Sequence, residues 1–354
     1  MIVEEMKSPR EWDAFVEASS KGTFYHTIKW RKVIQKSFPY SSLYLAIRGA
    51  NGTLVGICPG FMLSSTHFKV YNSLPHSDYG GPVIAECYSP QAYLSLRVSL
   101  ERFCFDKDIA YAKILFEDNE LLRSFNSPRC HVDTSGGTME IDLKITPAEF
   151  IWNRIFSRNT RKKIRLIERD GFHAQEASTK SDLREFYNLY YKNMKYIGFS
   201  PYPYDFVENM WSILYPENFR IWLLGKNKRI GGTAVLKHRQ KTYWVFVGID
   251  REGCTSRYSV VPYLVWKEIQ TAEEEGRTCV SLGSTPSDKS HPNYLQKKGF
   301  GALFCQQKML WYPFTCSGHI LIRNRIKAVR AWKAVQNFMP RSLRRTLENR
   351  LQRL

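Results

Sequence analysis

Phe219-Arg-Ile-Trp-Leu-Leu-Gly-Lys-Asn-Lys-Arg-Ile-Gly-Gly232 repeats the pattern of Leu43-Tyr-Leu-Ala-Ile-Arg-Gly-Ala-Asn-Gly-Thr-Leu-Val-Gly56 at a constant offset. Gly49 falls on Gly225, Asn51 on Asn227 and Gly56 on Gly232. Each copy reads as strand, tight turn, strand, and Asn51-Gly52 is a strong hairpin dipeptide. Further on, Tyr88-Ser-Pro-Gln-Ala-Tyr-Leu matches Tyr258-Ser-Val-Val-Pro-Tyr-Leu, with the offset changed as an indel between strands would change it. Two patterns kept in one order imply two copies of one α/β unit. The period is too long for a solenoid, so the expected architecture is a tandem domain.

The second copy continues through Ser256 to Gly301. Tyr263, Trp266, Ile269 and Gln270 recur at helical spacing, and Pro262 is tolerated in a first turn. Glu273, Glu274 and Glu275 close this helix, and Gly276 is its stop. Acids at a helix C-terminus are unfavourable, so solvent is expected to screen them. Residues 278–282 read as a buried strand ended by Gly283. In the first copy, Ser8 caps a helix that begins with Pro9, and Thr27 caps another carrying Trp30, Val33 and Ile34. The Gly-rich segment Ser73-Leu-Pro-His-Ser-Asp-Tyr-Gly-Gly-Pro82 is either a tight turn or a loop that meets a ligand.

At 354 residues the chain is long for one domain. The expected division is 1–150, 151–316 and a tail, 317–354. The fold class is α/β (α+β), with mixed sheets flanked by helices. The net charge of +19 favours a polyanionic partner such as RNA, an anionic bilayer or a phosphorylated precursor. Much of that charge is concentrated in two places. Arg158-Asn-Thr-Arg-Lys-Lys-Ile-Arg-Leu-Ile-Glu-Arg169 holds six basic residues and one acid, with an apolar edge at Ile164 and Ile167. It reads as a helix that presents either a solvated basic face or a phosphate or RNA contact. The stretch 319–354 holds ten Lys or Arg and one acid, interleaved with apolar residues. Such a stretch suits the surface of an anionic membrane; the alternative is a last helix packed on the second lobe.

The eight cysteines show no C-x-x-C spacing and read as buried free thiols in a reducing compartment. No apolar run is long enough to span a membrane, and no secretory signal is expected. These features point to a cytoplasmic protein, peripheral on the membrane face if the tail binds lipid. The histidines are isolated, so no metal site is expected.

Trp30-Arg-Lys-Val, Asp78-Tyr-Gly-Gly-Pro, Arg161-Lys-Lys-Ile-Arg, Gly231-Gly232, the helix from Tyr258 to Ile269 and Lys297-Lys-Gly-Phe-Gly occur in that order. Together they resemble the Fem family of non-ribosomal aminoacyltransferases, which build peptidoglycan cross-bridges. They are similar also to the BioF2-like acetyltransferase group of the GNAT superfamily. The resemblance covers roughly residues 20–310 and implies two GNAT-like lobes. It implies an aminoacyl-tRNA donor and an amine acceptor on a cell-envelope precursor, with no bound cofactor. It places Lys32 near the precursor's phosphate and Arg161 and Arg165 near an interlobe cleft. Lys297 matches the lysine of a Phe-Lys-x-Gly-Phe-Gly motif, as the cation for a developing oxyanion and the tRNA acceptor end. Gln296 departs from that motif, and the long helical hairpin of some members is not evident. Asp78 is the expected proton acceptor, or else a turn-capping carboxylate. Trp30, His76, Tyr79, Tyr204 and Tyr258 complete the expected substrate-binding set.

GNAT enzymes that use coenzyme A usually carry R/Q-x-x-G-x-G/A before the helix, where main-chain amides cradle the pyrophosphate. Arg257-Tyr-Ser-Val-Val-Pro262 lacks both glycines, and Pro262 lacks an N–H. Aminoacyl-tRNA is therefore the favoured donor. One alternative is acyl-CoA-dependent acylation of an amino sugar or related amine. The other is an RNA- or membrane-binding protein that kept the fold without the chemistry.

Overall fold

A computed structural model describes residues 1–65, 67–117, 119–125, 127–251 and 258–335. The helix caps written in the sequence form in the first elements. Strand β1 (Ile2–Glu5) leads to α1 (Pro9–Ala18), whose Ser8 Oγ accepts the Glu11 N–H. Helix α2 (Ile28–Ser37) starts where Thr27 Oγ1 accepts the Trp30 N–H, and it buries Trp30, Val33 and Ile34. Strands β2 (Ser41–Ser42) and β3 (Leu45–Arg48) turn through Asn51-Gly52, with Gly52 at φ 79°, into β4 (Leu54–Cys58). Pro59 and Gly60 then break the strand, because Pro59 has no N–H for the ladder. Strand β5 (Phe61–Ser64) continues the run in a different sheet.

Strand β6 (Lys69–Asn72), the short β7 (Val83–Ile84), α3 (Ser89–Asp106), β8 (Ile109–Phe116), α4 (Asn119–Ser124) and β9 (His131–Asp133) follow. The sheets of this unit run β1-β3-β4-β7 and β2-β5-β6-β8-β17-β9, where β17 (Lys308–Pro313) arrives from far down the chain. Leu45, Ile47, Tyr71, Leu96, Leu100, Ile114 and Leu310 form its core.

The second unit is one mixed sheet. Its elements are β10 (Gly136–Asp142), α5 (Ala148–Phe150), a π-helical turn at Ile151–Ile155, α6 (Arg158–Arg169) and β11 (His173–Glu176). Next come α7 (Lys180–Tyr196), α8 (Tyr204–Leu214), β12 (Phe219–Gly225), β13 (Arg229–His238) and β14 (Lys241–Ile249). Last are α9 (Val260–Glu274), β15 (Cys279–Pro286), α10 (Pro292–Lys298) and β16 (Leu303–Gln306). The strand order is β11-β12-β13-β14-β15-β10-β16. After β17 the chain forms α11 (Cys316–Val335).

The repeat is real at the level of elements. In both units two helices precede a hairpin, then further strands (β5 to β7 in the first unit, β14 in the second), a helix and a parallel strand. Strands β6 and β8 pair in parallel, as do β14 and β15. Among the described residues the compact units are Met1–Gly136 with 306–335, and Gly137–Cys305. The first division thus falls at β10 rather than at 150. Strand β17 and α11 belong with the first unit, α11 packing on β8 and β17, and do not close the second.

Three local expectations are corrected. Gly283, at φ 77°, lies inside β15 and does not end it. The glutamates at the end of α9 are bound by protein groups: Glu273 Oε1 accepts the Ala148 N–H at 2.8 Å, and Glu275 pairs with Arg220 and Arg277. Of the described cysteines, all free, Cys58 and Cys104 are buried, whereas Cys87, Cys305 and Cys316 are exposed. Among the described residues no helix is long and apolar enough to cross a membrane. The part of the expected tail from 336 to 354 lies outside the described residues.

Candidate active site in the second unit

The sheet of the second unit opens beside β14. This strand pairs with β13 along its length, with a register shift between Ala234 and Val235. Against β15 it pairs in parallel at Lys241–Cys279, Thr242–Val280 and Tyr243–Ser281. Past Tyr243 the described ladder stops, although β14 runs on to Ile249 and β15 to Pro286. A parallel pair that stops sharing hydrogen bonds part-way leaves main-chain donors and acceptors for a ligand.

The Gly231-Gly232 pair explains how helices come so close to this edge. A Cβ on Gly231 would lie 2.3 Å from Val260 Cγ1, and one on Gly232 would lie 2.6 Å from the Trp222 carbonyl oxygen. With hydrogen there instead, the first turn of α9 rests directly on β13.

A buried charge network holds α9 to the sheet. Glu268, fully buried, accepts the Trp222 indole N–H at 2.9 Å and faces Arg220 at 3.7 Å. Arg220 reaches Glu176 and Glu275 as well. Burial pushes the Glu268 carboxyl above its ordinary range, and the Arg220 charge opposes that rise. A lone arginine inside the apolar run Phe219-Arg-Ile-Trp-Leu-Leu was the sequence signal for this network.

At the far end of β15, Lys297 Nζ donates to the Gly283 carbonyl at 3.1 Å and to the Ser284 carbonyl at 2.7 Å. Its charge is therefore fixed at the strand end. Helix α10, capped by His291 Nδ1 on the Asn293 N–H, delivers it there.

The two basic-motif arginines have different surroundings from those expected. Arg161 Nη1 donates to the main-chain oxygens of Phe156 at 2.6 Å, Trp152 at 2.8 Å and Asn153 at 3.3 Å. It closes the π-helical turn, whose carbonyls would otherwise lack partners. The guanidinium of the exposed Arg165 lies 5.4 Å from the Trp152 ring centroid. Trp152 in turn packs on Trp266 at 4.8 Å, and Phe156 packs on both Trp266 and Phe300. Gly301, at φ 91°, is where a Cβ would meet Ile155 at 2.9 Å. The basic helix and the Gly-Phe-Gly motif, distant in sequence, are thus joined through one aromatic cluster.

Tyr258 Oη donates to Asp170 Oδ2 at 2.8 Å and its ring packs on Phe172. It ties the residue after α6 to the approach to α9. Tyr204 stands in another group, edge-on to Tyr187 at 5.1 Å, with a buried hydroxyl that has no hydrogen-bond partner among the described atoms.

In the first unit, Trp30 and Tyr79 are core residues. Trp30 is 1% exposed and Tyr79 5%. Both rings pack against Tyr25, and Trp30 Nε1 donates to Ser77 Oγ at 2.8 Å. The loop 73–82 is pinned from several sides: His26 Nε2 bonds the Gly81 oxygen at 3.2 Å, and Gln307 Nε2 donates to the Asp78 oxygen at 2.8 Å. His76, at φ 59°, stacks on Phe38 at 4.2 Å and bonds Tyr40 Oη at 3.2 Å. Burial, aided by the Lys113 charge, holds its imidazole down to about 4. Asp78 is half-buried in this loop, and Lys32 is exposed on α2.

Comparison with known proteins places this geometry. Residues 154–290, which hold the opened sheet edge and most of α6 to β15, match the acetyltransferase (GNAT) domain family. The second unit is therefore similar to a GNAT domain. The particular folds it resembles extend over both units. The crystal structure of FemX shares the fold at TM-score 0.70 and 14% identity, covering 88% of this chain and 97% of that one. L-PGS from Bacillus licheniformis aligns at TM-score 0.56 and 13% identity, over 91% of this chain and 97% of that one. A tandem GNAT protein from the clavulanic acid biosynthesis pathway aligns at TM-score 0.56 and 9% identity, over 86% of this chain and 92% of that one. At these identities the likeness defines the fold, two GNAT-like lobes in one chain. No curated protein sequence matches the chain.

Proposed function

We propose that this protein is a Fem-like N-acyltransferase that moves an aminoacyl group from aminoacyl-tRNA to an amine on a phosphorylated cell-envelope precursor. The observation that carries the choice of donor is the start of α9. The helix begins at Val260, so Pro262 is its third residue and removes one of the amides that would face a pyrophosphate. Val260 and Pro262 stand at the two positions where coenzyme A users keep a small residue, usually glycine. An aminoacyl ester makes no use of such a cradle.

In this reaction the neutral amine attacks the ester carbonyl. A C–N bond forms, the C–O bond to the tRNA ribose breaks, and the amine's proton ends on the ribose hydroxyl. The negative charge passes through the carbonyl oxygen. Lys297, fixed by two carbonyls, supplies a cation whose position does not have to be organised during the reaction. Asp78 takes the amine proton and passes it on to the departing ribose oxygen. No covalent enzyme intermediate is required, so a nucleophilic Ser or Cys is not part of the scheme. Lys32 binds the acceptor's phosphates, and the exposed basic face of α6 contributes to holding RNA.

Lys297→Met keeps the stem and removes the charge, and losing one oxyanion donor lowers kcat on the order of 10²-fold. Asp78→Asn lowers kcat and shifts its pH profile. A Lys297→Met protein with full kcat removes the oxyanion role. One that is inactive and also melts early assigns the lysine to holding β15.

A further inference from the structure

The first unit carries a concentration of positive charge that the transfer reaction does not use. Asn72 on β6, Lys113 on β8, Trp311 on β17 and His131 on β9 stand in one cross-strand row, each in register with the next. Residues in register share a face of the sheet. Asp133, two positions along β9 in the row of Leu115 and Met309, shares it too. Helix α11 covers this face, with Ile322 buried and Leu321 and Ile326 packed beside it.

Two cations converge on one ring here. Lys113 Nζ lies 5.0 Å from the Trp311 ring centroid, and the Arg325 guanidinium of α11 lies 4.5 Å from it. The charge of Arg330 also reaches His131. The carboxylate that acts on Lys113, Arg325 and His131 alike is Asp133. Positive charge is therefore in excess on a half-buried, aromatic-lined surface. Its consequence is visible on Lys113: burial, helped by Arg325, holds its amine down to about 8, and Asp133 only partly offsets this. An ammonium and a guanidinium beside an indole are complementary to an oxyanion with several acceptor oxygens. Such a ligand would also bridge α11 to β8.

We propose that Lys113, Arg325 and Trp311 form a binding site for a phosphate-type oxyanion beneath α11, supplied either by a lipid headgroup or by a soluble phosphate ester. The site makes no use of the residues assigned to acyl transfer, so it stands whether or not that assignment holds.

The test uses the full chain and inorganic pyrophosphate, with binding followed by calorimetry and by thermal stability against sodium chloride of equal ionic strength. Wild-type protein is expected to bind pyrophosphate and to melt higher with it. Lys113→Met and Arg325→Met are each expected to weaken binding at least tenfold. Asp133→Asn, which removes the opposing carboxylate, is expected to tighten it several-fold, an effect that lost packing cannot produce. Displacement of pyrophosphate by phosphatidylglycerol vesicles, and not by phosphatidylcholine vesicles, assigns the site to a lipid headgroup. Retention of pyrophosphate against both assigns it to a soluble ester. The proposal is overturned if wild-type protein shows no binding above the chloride control. It is overturned equally if Lys113→Met binds as tightly as wild type, or if Asp133→Asn weakens binding.

Discussion

Replacing Arg161 by Met separates two roles for the same cation. The residue type and its basic neighbours suggested a phosphate ligand, whereas its Nη1 lies against three main-chain oxygens of the π-helical turn. One nitrogen carries two protons, so the contacts at 2.6 Å to Phe156 and 2.8 Å to Trp152 count as full bonds and the third as a shared one. A hydrogen bond from a charged donor contributes about 1.5–3 kcal/mol, and a half-exposed one roughly half of that. Two such bonds give about 1.5–3 kcal/mol. The second unit spans Gly137–Cys305. For a domain of about that size each kcal/mol moves Tm by roughly 2–4 °C. Arg161→Met should therefore lower Tm by roughly 3–12 °C in a thermal melt followed by circular dichroism. At a temperature where the variant is folded, KM for a phosphorylated acceptor should stay within about twofold of wild type, an expectation that follows from the same difference in role. A melt unchanged to about a degree, together with a tenfold rise in that KM, would falsify the capping role and restore the phosphate contact.

Other outcomes follow from the buried groups. Glu268→Ala leaves Arg220 with one buried partner fewer and should destabilise by about 3–5 kcal/mol in urea unfolding. The carboxyl's folded pKa is raised, so its contribution is fully present below the unfolded value of about 4.3 and is lost as pH rises through the raised value. Glu268→Gln should flatten that part of the stability–pH curve, and an unaltered slope contradicts the assignment. His76 behaves oppositely. Its folded pKa is depressed to about 4, so its contribution is present above about 6.5 and is lost as pH falls towards 4. The loss should be about 2 kcal/mol once its partial exposure is allowed for. His76→Asn, which tolerates the positive φ, should remove this acid sensitivity; a curve that still falls between those values assigns it to other groups.

What the sequence made legible was local. Ser8, Thr27, Asn51-Gly52 and Gly276 act within a few residues of themselves, so their caps and turns follow from residue type. The repeat was legible because both copies kept their turn residues. The placing of β17 in the six-stranded sheet of the first unit was not, since nothing in Lys308–Pro313 says which sheet it will join. The surroundings of the site residues were not legible for the same reason. Trp30 and Tyr79 belong to the expected substrate-binding set, and the sequence does not show that Tyr25 packs against both rings. Arg161 looked like a phosphate ligand because the carbonyls it meets belong to a π-helical turn that periodicity does not reveal. Lys113 did leave a signal, a single cation inside the apolar strand Ile109–Phe116, and its weight became clear only with Arg325 beside it.

The central claim is the donor. The most direct measurement is single-turnover transfer to an amine-bearing, lipid- or nucleotide-linked envelope precursor. A mixture of radiolabelled aminoacyl-tRNAs is compared with a panel of acyl-CoA thioesters. The account predicts label passing from tRNA into an amide bond on the precursor, abolished by alkaline deacylation of the tRNA and lowered on the order of 10²-fold in Lys297→Met. Transfer from an acyl-CoA with none from any aminoacyl-tRNA would contradict it, and would mean that the first turn of α9 accommodates a pyrophosphate despite Pro262.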